Sequence, residues 1–242
     1  MTPAVSIIVP VLDESARIGA LLDELARDQP AAEVVVVDGG SCDATVDLAR
    51  ERGARVVESP RGRARQMNAG AAAACGEVLL FLHADTSLPR GAVTSVADAV
   101  ADGADFGCFP VRIDSDDLRL RVASRIISWR SRLLVSATGD QAQFFRRSFF
   151  ERLGGFPDVP LFEDMMIVAA GTRSGRWVCL EPVVRTSARR WNTHGVSRTM
   201  AKMIALRALF HLGVPPATLA NYYRGHPRED DSGNTLKRAE GS

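Results

Sequence analysis

Apolar and polar positions alternate between two rhythms along the first hundred residues. Val5 to Val9 is an apolar run closed by Pro10, and Ile18, Leu21, Leu22 and Leu25 then recur at helical spacing behind a start signal at Ser15. The unbroken Val34–Val37 predicts a buried strand. A helix from about Asp43 to Arg52, a short strand over Arg55–Val57, an alanine-rich helix near Ala64–Ala74 and a strand over Val78–Leu82 follow. Strands separated by helices of this length imply βαβ crossovers and a mainly parallel central sheet flanked by helices, an α/β fold of Rossmann-like type. In the second half the pattern predicts a strand over Phe106–Ile113, a long arginine-bearing helix over Leu118–Leu134, a strand over Gln141–Phe145 and a helix over Glu163–Arg173 that begins with two acids.

Two predicted strands end in carboxylates, Val34–Val37 in Asp38 and Leu79–Leu82 in His83-Ala84-Asp85. In open α/β sheets ligands sit beyond the carboxyl ends of strands. Asp85 is thus placed to hold a hard cation against a phosphate, because Mg²⁺-type ions favour one or two carboxylates plus substrate oxygens. Asp38-Gly39-Gly40-Ser41 reads either as a tight turn capped by Asp38 or as a place where a base or ribose approaches the backbone. It lacks the G-x-G-x-x-G spacing of a dinucleotide site. Arg61, Arg63 and Arg65 precede a helix N-terminus and suit phosphate. Asn68 and Gly70 are poor fillers of a helix and point to a packing or hydrogen-bonding duty. Glu163-Asp164 is either a pair of first-turn acids favoured by the helix dipole or the seat of a general base.

A net charge of +1 excludes a strongly basic chain of the general nucleic-acid-binding kind. The 46% apolar content is that of a protein with a real core. Four scattered cysteines, with no C-x-x-C pair, argue against a zinc site or disulfide framework and fit a reducing compartment. With no signal-peptide pattern and no long apolar run, the expected location is cytoplasmic. From Val183 to Arg228 there is no acid, while arginines accumulate around Trp191 and His194. The helix carrying Met200, Met203, Ile204, Leu206, Leu209, Phe210 and Leu212 has a basic side. It either lies on an anionic surface, at the inner face of the plasma membrane, or closes the domain with its basic residues in water. The tail from 224 to 242 has the composition of a disordered segment.

Taken together, the motifs resemble the family-2 inverting glycosyltransferases of the GT-A fold. Ser6-Ile7-Ile8-Val9-Pro10-Val11-Leu12-Asp13-Glu14 is similar to the family's opening strand and acidic turn. Val36-Val37-Asp38-Gly39-Gly40-Ser41-Cys42-Asp43-Ala44-Thr45 looks like its V-V-D-D-G-S-x-D-x-T motif, and Asn68-Ala69-Gly70 like its N-x-G. His83-Ala84-Asp85 takes the D-x-D position and Glu163-Asp164 the later E-D motif. The resemblance implies residues 1–180 as the transferase domain, with a nucleotide-sugar half over about 1–100 and an acceptor half over about 101–180. A basic helical C-terminal extension over 181–223 follows. It implies a metal-dependent sugar transfer from a UDP- or GDP-type donor to a hydroxyl or carboxyl acceptor, lipid-linked or small. Pro10, Asp13, Glu14, Asp38, Gly40, Arg65, Asn68, His83 and Ala84 would line the donor site. Asp85, with His194 as a second candidate, would hold Mg²⁺ or Mn²⁺. Asp164, with Glu163 beside it, would be the base. The H-A-D form, with Ala188-Arg189-Arg190-Trp191 and His194-Gly195-Val196, resembles a compact bacterial subgroup. Two departures stand out: Gly39 replaces the second Asp of the nucleotide motif, and His83 the first Asp of D-x-D. The alternatives are a sugar-phosphate nucleotidyltransferase and a nucleotide-sugar-binding protein without turnover. The acidic turn after the first strand disfavours the former, which usually carries a glycine-rich basic loop there.

Overall fold

The structure, a computed structural model, describes residues 4–224, apart from the side chains of Leu134, Arg190, Asn192, His194 and Arg224. The predicted tail therefore lies outside the described residues. The first half runs β1 (Val5–Val11), α1 (Ser15–Asp28), β2 (Glu33–Asp38), α2 (Thr45–Glu51), β3 (Arg55–Glu58), α3 (Arg63–Ala73), β4 (Val78–Phe81), β5 (Thr86–Ser87) and α4 (Ala92–Ala101). The second half runs β6 (Phe106–Cys108), β7 (Val111–Asp114), α5 (Leu118–Leu134), β8 (Phe144–Arg146), α6 (Arg147–Arg152), α7 (Glu163–Gly171), β9 (Trp177–Cys179) and β10 (Val184–Ser187). The helices α8 (Arg189–His194), α9 (Val196–His211) and α10 (Pro216–Arg224) close it.

The seven-stranded sheet has the order β3-β2-β1-β4-β8-β6-β9, and only β8 runs against its neighbours. The expected α/β fold with a mainly parallel sheet is what forms. A smaller sheet, β5-β10-β7, stands beside it. The central strands are apolar throughout because both faces are covered. Along β1, Ile7 and Val9 face α1 and α4, while Ile8 faces α3 and the phenylalanine cluster of Phe81, Phe145, Phe149, Phe150 and Phe156.

The expected strand over Phe106–Ile113 is two strands in two sheets. The Phe109 N–H bonds to the Gln141 carbonyl and the Pro110 carbonyl accepts from Val184, so the chain changes sheets at a residue with no N–H to give. The expected strand over Gln141–Phe145 is shortened by a tight turn over Gly139–Gln141 and a left-handed Ala142. Its Gln141 amide is buried against Ser131 and the Phe109 carbonyl. The alanine/valine-rich α4 and the short β5, β9 and β10 carry too little pattern to be read from sequence.

Gly70 explains how α3 lies so close to β1 and β2. A Cβ there would collide with Ile8 and stand 2.8 Å from Val37 Cγ2. Gly70→Ala gains about 1 kcal/mol of helix propensity but overpacks a two-strand contact, an effect of about 1–3 kcal/mol. The net expectation is destabilisation by up to about 2 kcal/mol in denaturant unfolding, and greater stability would refute the packing argument.

Candidate functional site

The strand order sets the ends of β2, β1 and β4 side by side, and the loops leaving them form one surface. The turns after β1 and β2 are laced together. Asp13, left-handed at φ 53°, donates its N–H to Ser41 Oγ (2.9 Å), and its carboxylate accepts from the Cys42 N–H (2.8 Å). The Glu14 N–H bonds to Thr45 Oγ1 at 2.8 Å, and its carboxylate accepts from Arg17 at 3.0 Å. Asp43 accepts from Ser15 and Thr45, bonds that hold its carboxyl well below the usual carboxylate range.

Asp38 is buried at the end of β2 and accepts from the N–H groups of Gly40 (3.0 Å) and Ser41 (3.1 Å) and from the Ser41 hydroxyl (2.5 Å). The turn-capping alternative is thus realised, with Gly40 at φ 92°. Gln66, which the sequence did not single out, donates its buried amide to the carbonyls of Val11 (2.7 Å) and Val37 (2.9 Å). It also explains Gly39: a Cβ there would stand 2.9 Å from the Gln66 amide. A clamp between strand ends fills the space that an acid would need at this position.

On α3, Asn68 makes paired bonds with the Phe156 backbone, donating to its carbonyl (2.8 Å) and accepting from its N–H (2.9 Å). Arg65 forms a two-pronged ion pair with Asp158 at 2.9–3.0 Å, both side chains exposed. Both residues tie α3 to the 154–160 loop. Arg63, two residues before Arg65, is the arginine whose charge reaches the acids at the head of α7.

Those acids are the most unusual groups of the site. Phe162, left-handed at φ 68° and buried against Phe210 (ring centroids 4.8 Å), turns the chain into α7. Glu163 is buried, and burial followed by the charge of Asp164 pushes its carboxyl up to about 7; Arg63 opposes this. Burial also raises Asp164, while the Gly139 N–H (2.7 Å to Oδ2), the Met165 N–H (2.7 Å to Oδ1) and Arg63 favour its anion. Gly139 separates Asp164 from the H-A-D segment. A Cβ there would lie 2.6 Å from His83 Nε2 and 3.6 Å from Asp164 Oδ2, so imidazole and carboxylate flank one glycine.

Asp85 is half-buried, accepts weakly from the Thr86 hydroxyl (3.4 Å), and gives its carbonyl to the Ser187 N–H (3.0 Å). That bond brings the start of α8 to the site, where Arg189 Nη2 stands 3.8 Å from Glu14 Oε1. Ala84 is buried beside Asp85, and Pro10 sits in β1 opposite Val37. His194 ends α8, but its side chain lies outside the described residues. Among the described residues no three His, Cys, Asp or Glu side chains converge on a metal position. One open carboxylate at a strand end fits Mg²⁺ or Mn²⁺ held largely by substrate oxygens and water.

Comparison with known proteins matches the family model for Glycosyl transferase family 2 over residues 6–155. The PGL/p-HBAD biosynthesis glycosyltransferase of Mycobacterium bovis is 35% identical over 170 residues, 64% of this chain and 63% of that protein, so the match spans under two thirds of the relative's length. The 4,4'-diaponeurosporenoate glycosyltransferase of Staphylococcus aureus is 33% identical over 94 residues, 36% of this chain and 25% of that one. Among solved structures, a Pyrobaculum calidifontis mannosyltransferase with GDP-Man and Mn²⁺ superposes with a TM-score of 0.64 at 23% identity, covering 92% of this chain and 70% of its own. S. aureus TarS 1-349 with UDP-GlcNAc superposes at 0.59 with 20% identity, covering 76% and 58%. The fold is therefore the GT-A type.

The raised Glu163 has a consequence for stability. A carboxyl whose folded value is about 7, against 4.5 normally, favours folding below the lower value, and that favour is lost as pH rises through about 7. Glu163→Gln should flatten this dependence. Relative to the unsubstituted protein, it should gain on the order of 1–3 kcal/mol between pH 5 and pH 8 in denaturant unfolding. Parallel pH profiles would show that Glu163 is not held in this way.

Proposed function

Because the chain belongs to glycosyl transferase family 2, we propose that it is a metal-dependent, inverting glycosyltransferase acting on a nucleotide diphosphate sugar. The observation that carries this is the Asp164 carboxylate, fixed by the Gly139 N–H and set beside His83 at the end of the Asp85 strand. Asp164 takes the proton of the acceptor hydroxyl, and the acceptor oxygen attacks the anomeric carbon as the bond to the diphosphate breaks. One displacement on the opposite face inverts the centre. The raised basicity of Asp164 suits this duty, since a general base works best near the ambient pH. Asp85, with His194 as proposed partner, would hold Mg²⁺ or Mn²⁺, which neutralises the departing diphosphate. His83 is offered to a donor hydroxyl or phosphate where the family's pattern has an acid. The Asp13–Glu14 and Asp38–Gly40 turns form the proposed nucleotide cradle. Neighbours solved with GDP-Man, UDP-GlcNAc or UDP support a UDP- or GDP-type donor. A staphylococcal relative named for a carboxylate keeps both hydroxyl and carboxyl acceptors in view.

Asp164→Asn should lower the turnover of the responsive donor by roughly 10²–10⁴-fold while leaving donor affinity unchanged. Affinity lost in step with turnover would make Asp164 a binding group. Asp85→Ala should abolish Mn²⁺-dependent donor binding, and His194→Ala should weaken Mn²⁺ in direct titration. Undiminished values would remove the residue from the metal site.

We also propose peripheral membrane contact, through α5. Of the two readings for α9, closure of the domain is favoured by Leu206, buried with Phe162, Met165 and Leu219, and by Phe210 on Phe162, while Ile204, Leu209 and Leu212 stay exposed. On α5, by contrast, Leu118, Val122, Ile126, Trp129 and Leu133 make an exposed stripe, 45–69% accessible, on a helix with five arginines and no acid. No helix among the described residues is long and apolar enough to cross a membrane. The stripe suits a helix lying in an anionic surface, with the exposed Arg119, Arg121, Arg125 and Arg132 on lipid phosphates. Co-sedimentation with phosphatidylglycerol vesicles should fall sharply in the Ile126→Asp, Trp129→Asp double variant. Equal sedimentation would refute the assignment.

A further inference from the structure

Two arginines outside the machinery described above lie near enough for their charges to act on one another, and Arg130 is also within reach of the charges of Asp140 and Asp164. Arg130 lies on α5 and Arg207 on α9. The Nε and Nη2 atoms of Arg130 and the Nε of Arg207 are buried and have no hydrogen-bond partner among the described residues. Packing places both. Ser131, next to Arg130, bonds to the Gln141 amide (2.9 Å), which brings Arg130 beside the Gly139–Gln141 turn. Leu206, next to Arg207, belongs to one buried cluster with Phe162 and Met165, which sets this turn of α9 near the head of α7. The Gly139–Asp164 bond joins that turn to that helix.

The electrostatics are unfavourable as the protein stands. Burial, and then the charge of Arg207, pull the Arg130 guanidinium down to about 10; Asp140 and Asp164 act the other way without forming an ion pair with it. Buried donors of a charged group left unpaired are expensive, more so than neutral ones. Two like charges brought together under these conditions complement an anion. Guanidinium forks match the paired oxygens of phosphate and carboxylate.

We propose that Arg130 and Arg207 form an anion subsite for the acceptor, so that the molecule glycosylated carries a phosphate or carboxylate group close to its nucleophilic oxygen. The inference deepens the glycosyl-transfer reading and rests on it. The donor diphosphate is assigned to Asp85, whose carbonyl is tied to Ser187 at the end of β10.

The test uses the full chain and its Arg130→Met and Arg207→Met variants, with exposed Arg173→Met as control. Inorganic phosphate and glycerol 3-phosphate are titrated calorimetrically at constant ionic strength, and binding to phosphatidylcholine vesicles with and without phosphatidic acid is measured in parallel. UDP and GDP with Mn²⁺ are titrated into every variant. Each Met variant should bind the preferred phosphate probe about 10-fold to 100-fold more weakly, keep its nucleotide affinity, and melt higher than the unsubstituted protein when ligand-free. The higher melting point excludes misfolding as the cause. Variant-sensitive binding of glycerol 3-phosphate points to a soluble acceptor, and of phosphatidic acid to a lipid-borne one. No phosphate response in the unsubstituted protein, or an equal response in all variants, overturns the subsite. Nucleotide affinity falling together with phosphate affinity returns the arginines to the donor and overturns it too. Absent nucleotide binding to the unsubstituted protein defeats the underlying transferase reading, whichever way the phosphate arms fall.

Discussion

Two adjacent carboxylates, buried at the head of one helix, set the terms for the rest of the site. Burial opposes the charge of both Glu163 and Asp164, and the charge of Asp164 makes Glu163 harder still to ionise. The surrounding chain answers with Gly139, whose N–H bonds to Asp164 and whose missing side chain leaves room for His83, and with Arg63 at the head of α3. It also answers with a left-handed Phe162 that only a well-packed ring keeps in place. The balance leaves Asp164 more basic than an exposed carboxylate, with both oxygens held by backbone N–H groups.

The other side of that space is built by a different principle. There, carboxylates are spent on turns. Asp38, Asp13 and Asp43 hold backbone N–H groups of the loops after β1 and β2, and the Gln66 amide pins the two strand ends together. The result is a cross-braced rim at the ends of β1 and β2, next to the strand that leads to Asp85, whose carboxylate makes one weak side-chain bond. A preorganised rim with one open carboxylate suits a ligand that brings its own charge, as a diphosphate with its cation does.

Much of this was legible in the sequence, for a physical reason. A parallel sheet covered on both faces writes itself as unbroken apolar runs, so β1, β2 and β4 and the acids that end them stand out. The antiparallel β8 and the sheet change at Pro110 do not, because three-residue strands carry no periodicity. Sequence could nominate Asp38 but not tell a turn cap from an open acid, since both are Asp before glycine. It favoured Arg65, whereas the register of α3 turns Arg63 toward the acids and leaves Arg65 to Asp158. Gln66 and Gly139 gave no chemical signal. Arg130 and Arg207 looked like ordinary members of basic helices; only packing shows that their donors are buried.

The most direct test of the account is calorimetric titration of the protein with UDP and with GDP, each with and without Mn²⁺. The arrangement around Asp85 and the Asp13–Asp38 rim predicts that one diphosphate binds, and that its binding requires the cation. Failure of both nucleotides to bind with Mn²⁺ present would contradict the account, leaving a family fold whose donor site is no longer used.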